Sequence, residues 1–253
     1  LLGSEYQKTR FRPLLPDTRF IRFNSEEDLK LITNKTAAVL LETIQGGAGF
    51  ISPKNDFLKK AKDRCEAVGA LLILDEIQPG FGRTGKFFGF EHFNVKPDIV
   101  VMGKGMGGGL PIGAFTASHH LMQLLEEHPK LGHITTFGGN SIITSAALAT
   151  LRTIRESQLM NKITSKEALI RKELMHPCIQ EIRGVGLMLA PIFKNPEIAN
   201  QVVLKSIDKG LILFWLLWEK KAIRITPPLT ISEKEIKKGC NILKSVLDEL
   251  IGC

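Results

Sequence analysis

Short apolar runs bounded by polar or glycine residues dominate the first half of the chain, at 37–41 (AAVLL), 71–74 (LLIL), 99–102 (IVVM) and 112–117 (IGAFTA). Runs of this length and boundary read as strands, the first of them buried. Between the first two lies a stretch, 55–68, with apolar residues at Phe57, Leu58, Ala61, Cys65 and Val68, followed by Gly69. That spacing is one face of a helix, and the glycine is its stop. Strands alternating with helices imply an α/β layer fold. Open sheets of this kind bind ligands at the carboxyl edge of their strands. Asp75 and Glu76 close the second run, too apolar to be exposed, so Asp75 belongs at that edge. Lys104 closes the third, between Gly103 and Gly105.

The second half has a different texture. Residues 141–154 are rich in Ala and Leu and read as a helix, and a second helix is expected over 160–175. Past Pro177, 181–189 and 211–214 look like strands. Between them a helix should start at Asn195, with Pro196 at its first helical position, and run to Lys209. Ser232 with Glu235 three residues on is a capping box that opens a closing helix over 232–251. A boundary near residue 155 divides the chain into a large domain, 1–155, and a small C-terminal α+β domain, 156–253.

Composition excludes several classes. With 253 residues, 43% apolar and 24% charged, the chain is neither disordered, collagen-like nor a disulfide-stapled mini-fold. The net charge of +8 is scattered in pairs such as Lys59 and Lys60, Lys220 and Lys221, and Lys237 and Lys238. These read as solvated helix faces, not a nucleic-acid stripe. Cys65, Cys178, Cys240 and Cys253 are far apart, with no CxxC pair and no histidine at ligand spacing. They are expected to be reduced thiols in a cytoplasmic protein that binds no metal. No apolar run reaches the roughly 18 residues that span a bilayer, and no secretory signal is visible.

Three segments imitate phosphate loops. Residues 80–86 (GFGRTGK) fit GxxxxGK, but position 87 is Phe, where a Mg²⁺-binding hydroxyl is needed, and no helix start follows. Residues 103–108 (GKGMGG) fit GxGxxG, yet they lead into another strand instead of a helix, so the dinucleotide reading fails. The third, 135–140 (TTFGGN), stands directly before a helix, where hydroxyls and glycine amides can hold a phosphate. Taken alone it reads first as a plain helix N-cap. Asp75 alone is equally a cap. Lys104 alone is equally a solvated strand-end cation, although its small neighbours leave room for a cofactor and for desolvation of the amine.

Together the segments are far more specific. LLILDEIQ at 71–78, GRTG at 82–85, KPDIV at 96–100, GKG at 103–105 and GLPIG at 109–113 occur in order, with Lys104 29 residues after Asp75. With ETIQG at 42–46, residues 135–140 and RITPPL at 224–229, they closely resemble the class III, ornithine/acetylornithine-type pyridoxal-phosphate aminotransferases of fold type I. The resemblance covers nearly the whole chain. It implies a mostly parallel sheet in the large domain, pyridoxal 5'-phosphate as cofactor, and a homodimer with a shared active site. By position in these motifs, Lys104 looks like the lysine that bonds the cofactor and then shuttles the substrate proton. Asp75 would keep the pyridinium nitrogen protonated. Gln78 would sit against the ring hydroxyl, and Glu42 would belong to the same polar shell. Thr136 resembles the phosphate ligand given across the dimer interface, with Thr135 close to substrate and phosphate. Arg224 resembles the arginine that grips a substrate carboxylate in a bidentate fork.

Two departures qualify the match. Family members selective for ω-amino groups often carry a second Glu after ExxQG that masks this arginine; here the position is Gly47. An unmasked Arg224 favours substrates gripped by an α-carboxylate. Secondly, the Gly-rich phosphate turn and the ring-stacking aromatic that members carry near the N-terminus are not found before Glu42. Residues 6–16 resemble the region that follows them, so the chain is expected to be the C-terminal part of a longer enzyme. The implied reaction moves an amino group from an acetylornithine- or ornithine-like donor to 2-oxoglutarate by a ping-pong route, as in arginine biosynthesis. The alternatives are an ω-amino acid aminotransferase, an aminomutase, or an inactive truncated fragment. Trp215 and Trp218 near Arg224 could line the substrate entrance or serve as core.

Overall fold

The computed structural model describes residues 4–127 and 129–250. After one helical turn, α1 (Glu5–Lys8), the main sheet is built in the order β1 (Ala38–Glu42), β2 (Leu71–Asp75), β3 (Ile99–Gly103) and β4 (Gly113–Ala117). β1, β2 and β3 are parallel, and β4 closes the edge antiparallel to β3. Alternation decides which residues enter the core: Val39, Leu41, Leu72 and Leu74 are buried against α2 (Phe57–Val68), which contributes Phe57, Leu58, Ala61 and Cys65. Gly69 ends α2 at φ +77°, donating to the carbonyls of Cys65 and Glu66. Asp98 anchors the start of β2. Its carboxylate accepts from the Leu72 amide at 2.8 Å and from the Lys62 ammonium at 2.8 Å.

The parity that buries Leu72 and Leu74 also buries Glu76. Its fully enclosed carboxylate accepts from the Thr43 hydroxyl at 2.5 Å and from the amides of Gly89 at 2.7 Å and Phe90 at 2.9 Å. Burial pushes its pKa up, while these three donors pull the other way. Glu76 thus bolts the aromatic turn at 87–90 to the end of the sheet.

α3 (His119–Glu127) follows β4 and was not foreseen. α4 (Ser141–Glu156) is capped by Asn140, whose side chain accepts from the amides of Ile142 and Ile143. The helix expected over 160–175 is a 3₁₀ turn, Leu159–Lys162, followed by α5 (Ile163–Glu173). The single strand expected over 181–189 is a hairpin, β5 (Glu181–Val185) and β6 (Met188–Ile192), turning at Gly186 with φ +62°. β6 is buried at all five positions, so no alternation marked its limits. α6 (Pro196–Asp208) starts at Asn195, whose side chain accepts from the Ile198 amide at 3.0 Å. Of the strand expected over 211–214, only β7 (Phe214–Trp215) forms, paired with β8 (Ile223–Arg224). α7 (Glu233–Asp248) opens on the Ser232–Glu235 capping box.

Three apolar clusters organise the chain. One lies between α2 and the main sheet. A second joins α5, α6 and α7 to Leu187, Leu189, Leu213 and Ile223. The third links Ile44 and Phe50 of the first half with Met188, Ala190, Ile192, Leu216 and Ala222 of the second. Cys65 and Cys240 are free, and burial pushes both thiols up to about 11. Cys178 is disulfide-bonded, which corrects the reduced reading there; distance along the chain does not report distance in space. No helix among the described residues is long and apolar enough to cross a membrane.

Replacing Glu76 with Ala strands the Thr43 hydroxyl and two amides in the interior. Urea unfolding should show a loss of about 3 kcal/mol for Glu76→Ala and about 1 kcal/mol for Glu76→Gln, which keeps one acceptor.

Candidate active site

Parallel pairing places Glu42 directly opposite Asp75, so their side chains leave the sheet together at its carboxyl edge. Asp75 pairs on its other side with Val101, and Lys104, three residues past Val101, stands immediately after the end of β3. The Asp75 carboxylate accepts from the Ile77 amide at 2.9 Å, which fixes it over the turn leaving the sheet. Glu42 accepts from the Gly46 amide at 2.7 Å. A Cβ at Gly46 would stand 2.5 Å from Gln78 Oε1 and 3.2 Å from Glu42 Oε2, so the bare glycine is what lets both polar groups converge.

Glu42 has its carboxyl raised above the usual range. Glu42 ends β1 at an exposed position, and partial desolvation of its carboxylate by the packing around it is the main cause; repulsion from Asp75 adds to it, while the Gly46 amide and the Lys104 cation oppose them. Glu42, Asp75 and Lys104 therefore share one electrostatic neighbourhood. Lys104 adopts φ +45°, a left-handed conformation that costs a side-chain-bearing residue about 1–2 kcal/mol. Its side chain is exposed, not desolvated. The cause is local: no heavy atom lies within 4 Å of where a Cβ at Gly105 or Gly109 would stand, so nothing beside the lysine covers it. From behind, Thr150 of α4 packs on Gly108 in the same turn.

Residues 8–247 match the class-III aminotransferase family. The chain belongs to the class-III aminotransferases. It is 38% identical to the acetylornithine aminotransferase of Mycobacterium leprae, over 99% of this chain and 62% of that protein. With the putrescine aminotransferase of Pectobacterium atrosepticum it shares 36% identity over 96% of this chain and 54% of the relative. Its fold superimposes on the ornithine aminotransferase of Toxoplasma gondii with a TM-score of 0.88 at 31% identity, covering 97% of this chain and 59% of that one. For the N-acetylornithine aminotransferase of Stenotrophomonas maltophilia the TM-score is 0.79 at 30% identity, covering 91% and 62%. The chain thus spans 54–62% of the length of these class-III relatives.

Of the residues singled out from the sequence, the fold gathers Glu42, Asp75, Gln78 and Lys104. Thr135 and Thr136 lie exposed in the loop before α4, and among the described residues neither hydrogen-bonds to those four. Arg224 stands on β8 opposite Phe214, its guanidinium 5.3 Å from that ring, and donates to the Trp215 carbonyl at 3.2 Å. Its Nε is buried without a hydrogen-bond partner, and no carboxylate pairs with it among the described residues. It also lines an apolar cavity of about 390 Å³. The Trp218 amide donates to the Gly47 carbonyl at 2.8 Å, tying the β7–β8 connection to the loop that follows Glu42. Glu76 and Thr43 had no role in the sequence reading. Strand parity with Leu72 and Leu74 was the signal that marks Glu76 as the inward acid and Asp75 as the outward one.

The raised Glu42 pKa has a consequence for stability. The folded state holds this proton more tightly than the unfolded chain, so stability falls as pH rises from the ordinary glutamate value through the folded one. Because Glu42 is exposed and its charge screened, Glu42→Gln should raise the Tm only slightly, by less than about 1 °C at pH 7, and leave it unchanged near pH 4 in thermal melts at both values.

Proposed function

We propose that this chain serves pyridoxal-phosphate-dependent transamination, taking an amino group from an acetylornithine- or ornithine-like donor to 2-oxoglutarate. The observation that carries the reading is the convergence of Glu42, Asp75 and Lys104 at one sheet edge, with Lys104 held in a strained left-handed backbone. The donor set suits the cofactor: a fixed carboxylate for a ring nitrogen, an amine for an aldehyde, an amide side chain for a ring hydroxyl, and open space over Gly105 and Gly109. When bound, pyridoxal phosphate supplies an electron sink for charge developing at the substrate carbon.

The chain's own residues do the rest. Asp75 would hold the proton on the ring nitrogen, its own geometry set by the Ile77 amide. Lys104 would anchor the cofactor and carry the proton to and from the substrate carbon. Gln78 and Glu42 would order the polar side of the ring. Thr136 would hold a phosphate from the neighbouring subunit of a homodimer, with Thr135 beside it. Arg224 would grip the substrate carboxylate, and its unmasked state among the described residues supports that role. The protein is proposed to work in the cytoplasm, in arginine metabolism. A second reading, an ω-amine donor lacking an α-carboxylate, is favoured by the likeness to a putrescine aminotransferase.

The cofactor-loaded protein should absorb above about 400 nm, borohydride should discharge that band, and Lys104→Ala should lack it. A wild-type protein that takes up no cofactor would sink the proposal. Turnover without added 2-oxoglutarate would point to the aminomutase alternative.

Gly47 offers a sharper probe of specificity. A Cβ there would stand 2.7 Å from Trp218 Cδ1 and 3.0 Å from its Nε1, so any side chain displaces the indole. Gly47→Ala applies that push alone, and Gly47→Glu adds a charge able to mask Arg224. Rates with α-carboxylate acceptors should fall about tenfold further in Gly47→Glu than in Gly47→Ala. Equal rates in the two variants would discard the masking idea.

A further inference from the structure

The segment after β8 cannot hold itself in place. Pro227 and Pro228 remove two successive backbone donors. The ladder stops at Ile225, whose amide donates to Leu189 at 2.8 Å and whose carbonyl accepts from it at 3.1 Å. Beyond that, the Ile231 amide reaches the Pro228 carbonyl at 3.0 Å. Two cations hold the Pro227 and Leu229 carbonyls. Lys166 of α5 donates to the Leu229 carbonyl at 2.6 Å. Arg83 donates through one Nη to the Pro227 carbonyl at 2.5 Å and to the Leu187 carbonyl at 3.3 Å.

Arg83 comes from the turn that leaves the sheet after Asp75 and Gln78. Its backbone is locked as firmly as its side chain. The Leu187 amide donates to the Arg83 carbonyl at 2.9 Å, and a Cβ on Gly186 would stand 2.6 Å from that oxygen. No carboxylate pairs with Arg83 among the described residues, and burial lowers its pKa. A partly buried guanidinium without a counter-charge is a costly packing element, and an apolar residue of similar size would cost less. What it does that an apolar residue cannot is draw the Leu187 and Pro227 carbonyls onto one nitrogen.

We propose that Arg83 is a positioning residue for Arg224. Acting through the Pro227 carbonyl, three residues from Arg224, it sets where that guanidinium stands relative to the Asp75–Lys104 edge. It thereby tunes the preference for amines that carry an α-carboxylate over amines that do not. This inference rests on the aminotransferase reading above.

Ornithine and putrescine separate the idea from a general structural role, since they differ by the α-carboxylate alone. The cofactor-loaded protein is mixed with each amine, and loss of the band above about 400 nm is followed in a single turnover. In Arg83→Gln the half-saturating ornithine concentration should rise about tenfold, as a shift of order 1 Å in a clamp allows, with putrescine changed less than about twofold. Arg83→Lys, which keeps a charged nitrogen with several donors but loses the guanidinium's reach and fixed direction toward the two carbonyls, should give an intermediate shift with the same selectivity. Should Arg83→Gln fail to fold, this variant decides the matter. Equal losses for both amines, or none for either, would overturn the proposal. A second readout needs no cofactor: in the ligand-free protein, amide exchange at Ile225 and Ile231 should quicken in Arg83→Gln. Unchanged exchange there overturns the clamp itself, whereas a wild-type protein that takes up no cofactor overturns only the functional reading beneath it.

Discussion

The in-register parallel pairing of β1 and β2 is the constraint on which the site depends. Because Ala38 lies opposite Leu71 and the strands run together without a bulge, Glu42 arrives opposite Asp75. A slip of one residue would send one of the two carboxylates to the opposite face of the sheet. The register is secured from the buried side, where Val39, Leu41, Leu72 and Leu74 pack on α2, and from the strand start, where Asp98 takes the Leu72 amide. The chemistry at one edge is thus held by packing at the other end of the same strands.

Two neighbouring acids illustrate how one strand sends one side chain into the core and the next to the sheet edge. Glu76 is enclosed and uses its carboxylate for three donors of the protein itself. Asp75 faces the other way, with one oxygen held by Ile77. Glu42 and Lys104 show the opposite pattern: a carboxylate raised by partial desolvation beside a like charge at an exposed strand end, and a lysine in a backbone conformation that suits glycine better. Such local violations are tolerated where surrounding packing over-determines them, and they concentrate where a protein meets its ligands.

The two halves of the chain communicate through backbone groups. Leu187 and Pro227 offer carbonyls to Arg83, Trp218 offers an amide to Gly47, and Ile44 and Phe50 share a core with β6. The turn at 80–86 has GxxxxGK spacing, and its glycines serve close packing of the chain. Gly82 lies against Met160 and Leu229, and Gly85 against Ile163.

Much of this was legible in the residues alone. The strand runs, the Gly69 stop, the Pro196 start and the Ser232–Glu235 box are local signals, set by φ restrictions, capping bonds and alternation, and each reappears within a residue or two. The motif order also sufficed to bring Asp75 and Lys104 to one edge. Other features needed the folded chain. β6 is buried on both faces, so its sequence carried no alternation to separate it from β5. The exposure of Lys104, the obstruction of Gly47 by Trp218 and the reach of Arg83 to Pro227 depend on atoms far apart in sequence. Local backbone preference determines the elements because it acts within a few residues. Tertiary packing alone decides which distant donor meets which carbonyl, because such bonds have no footprint in residue spacing.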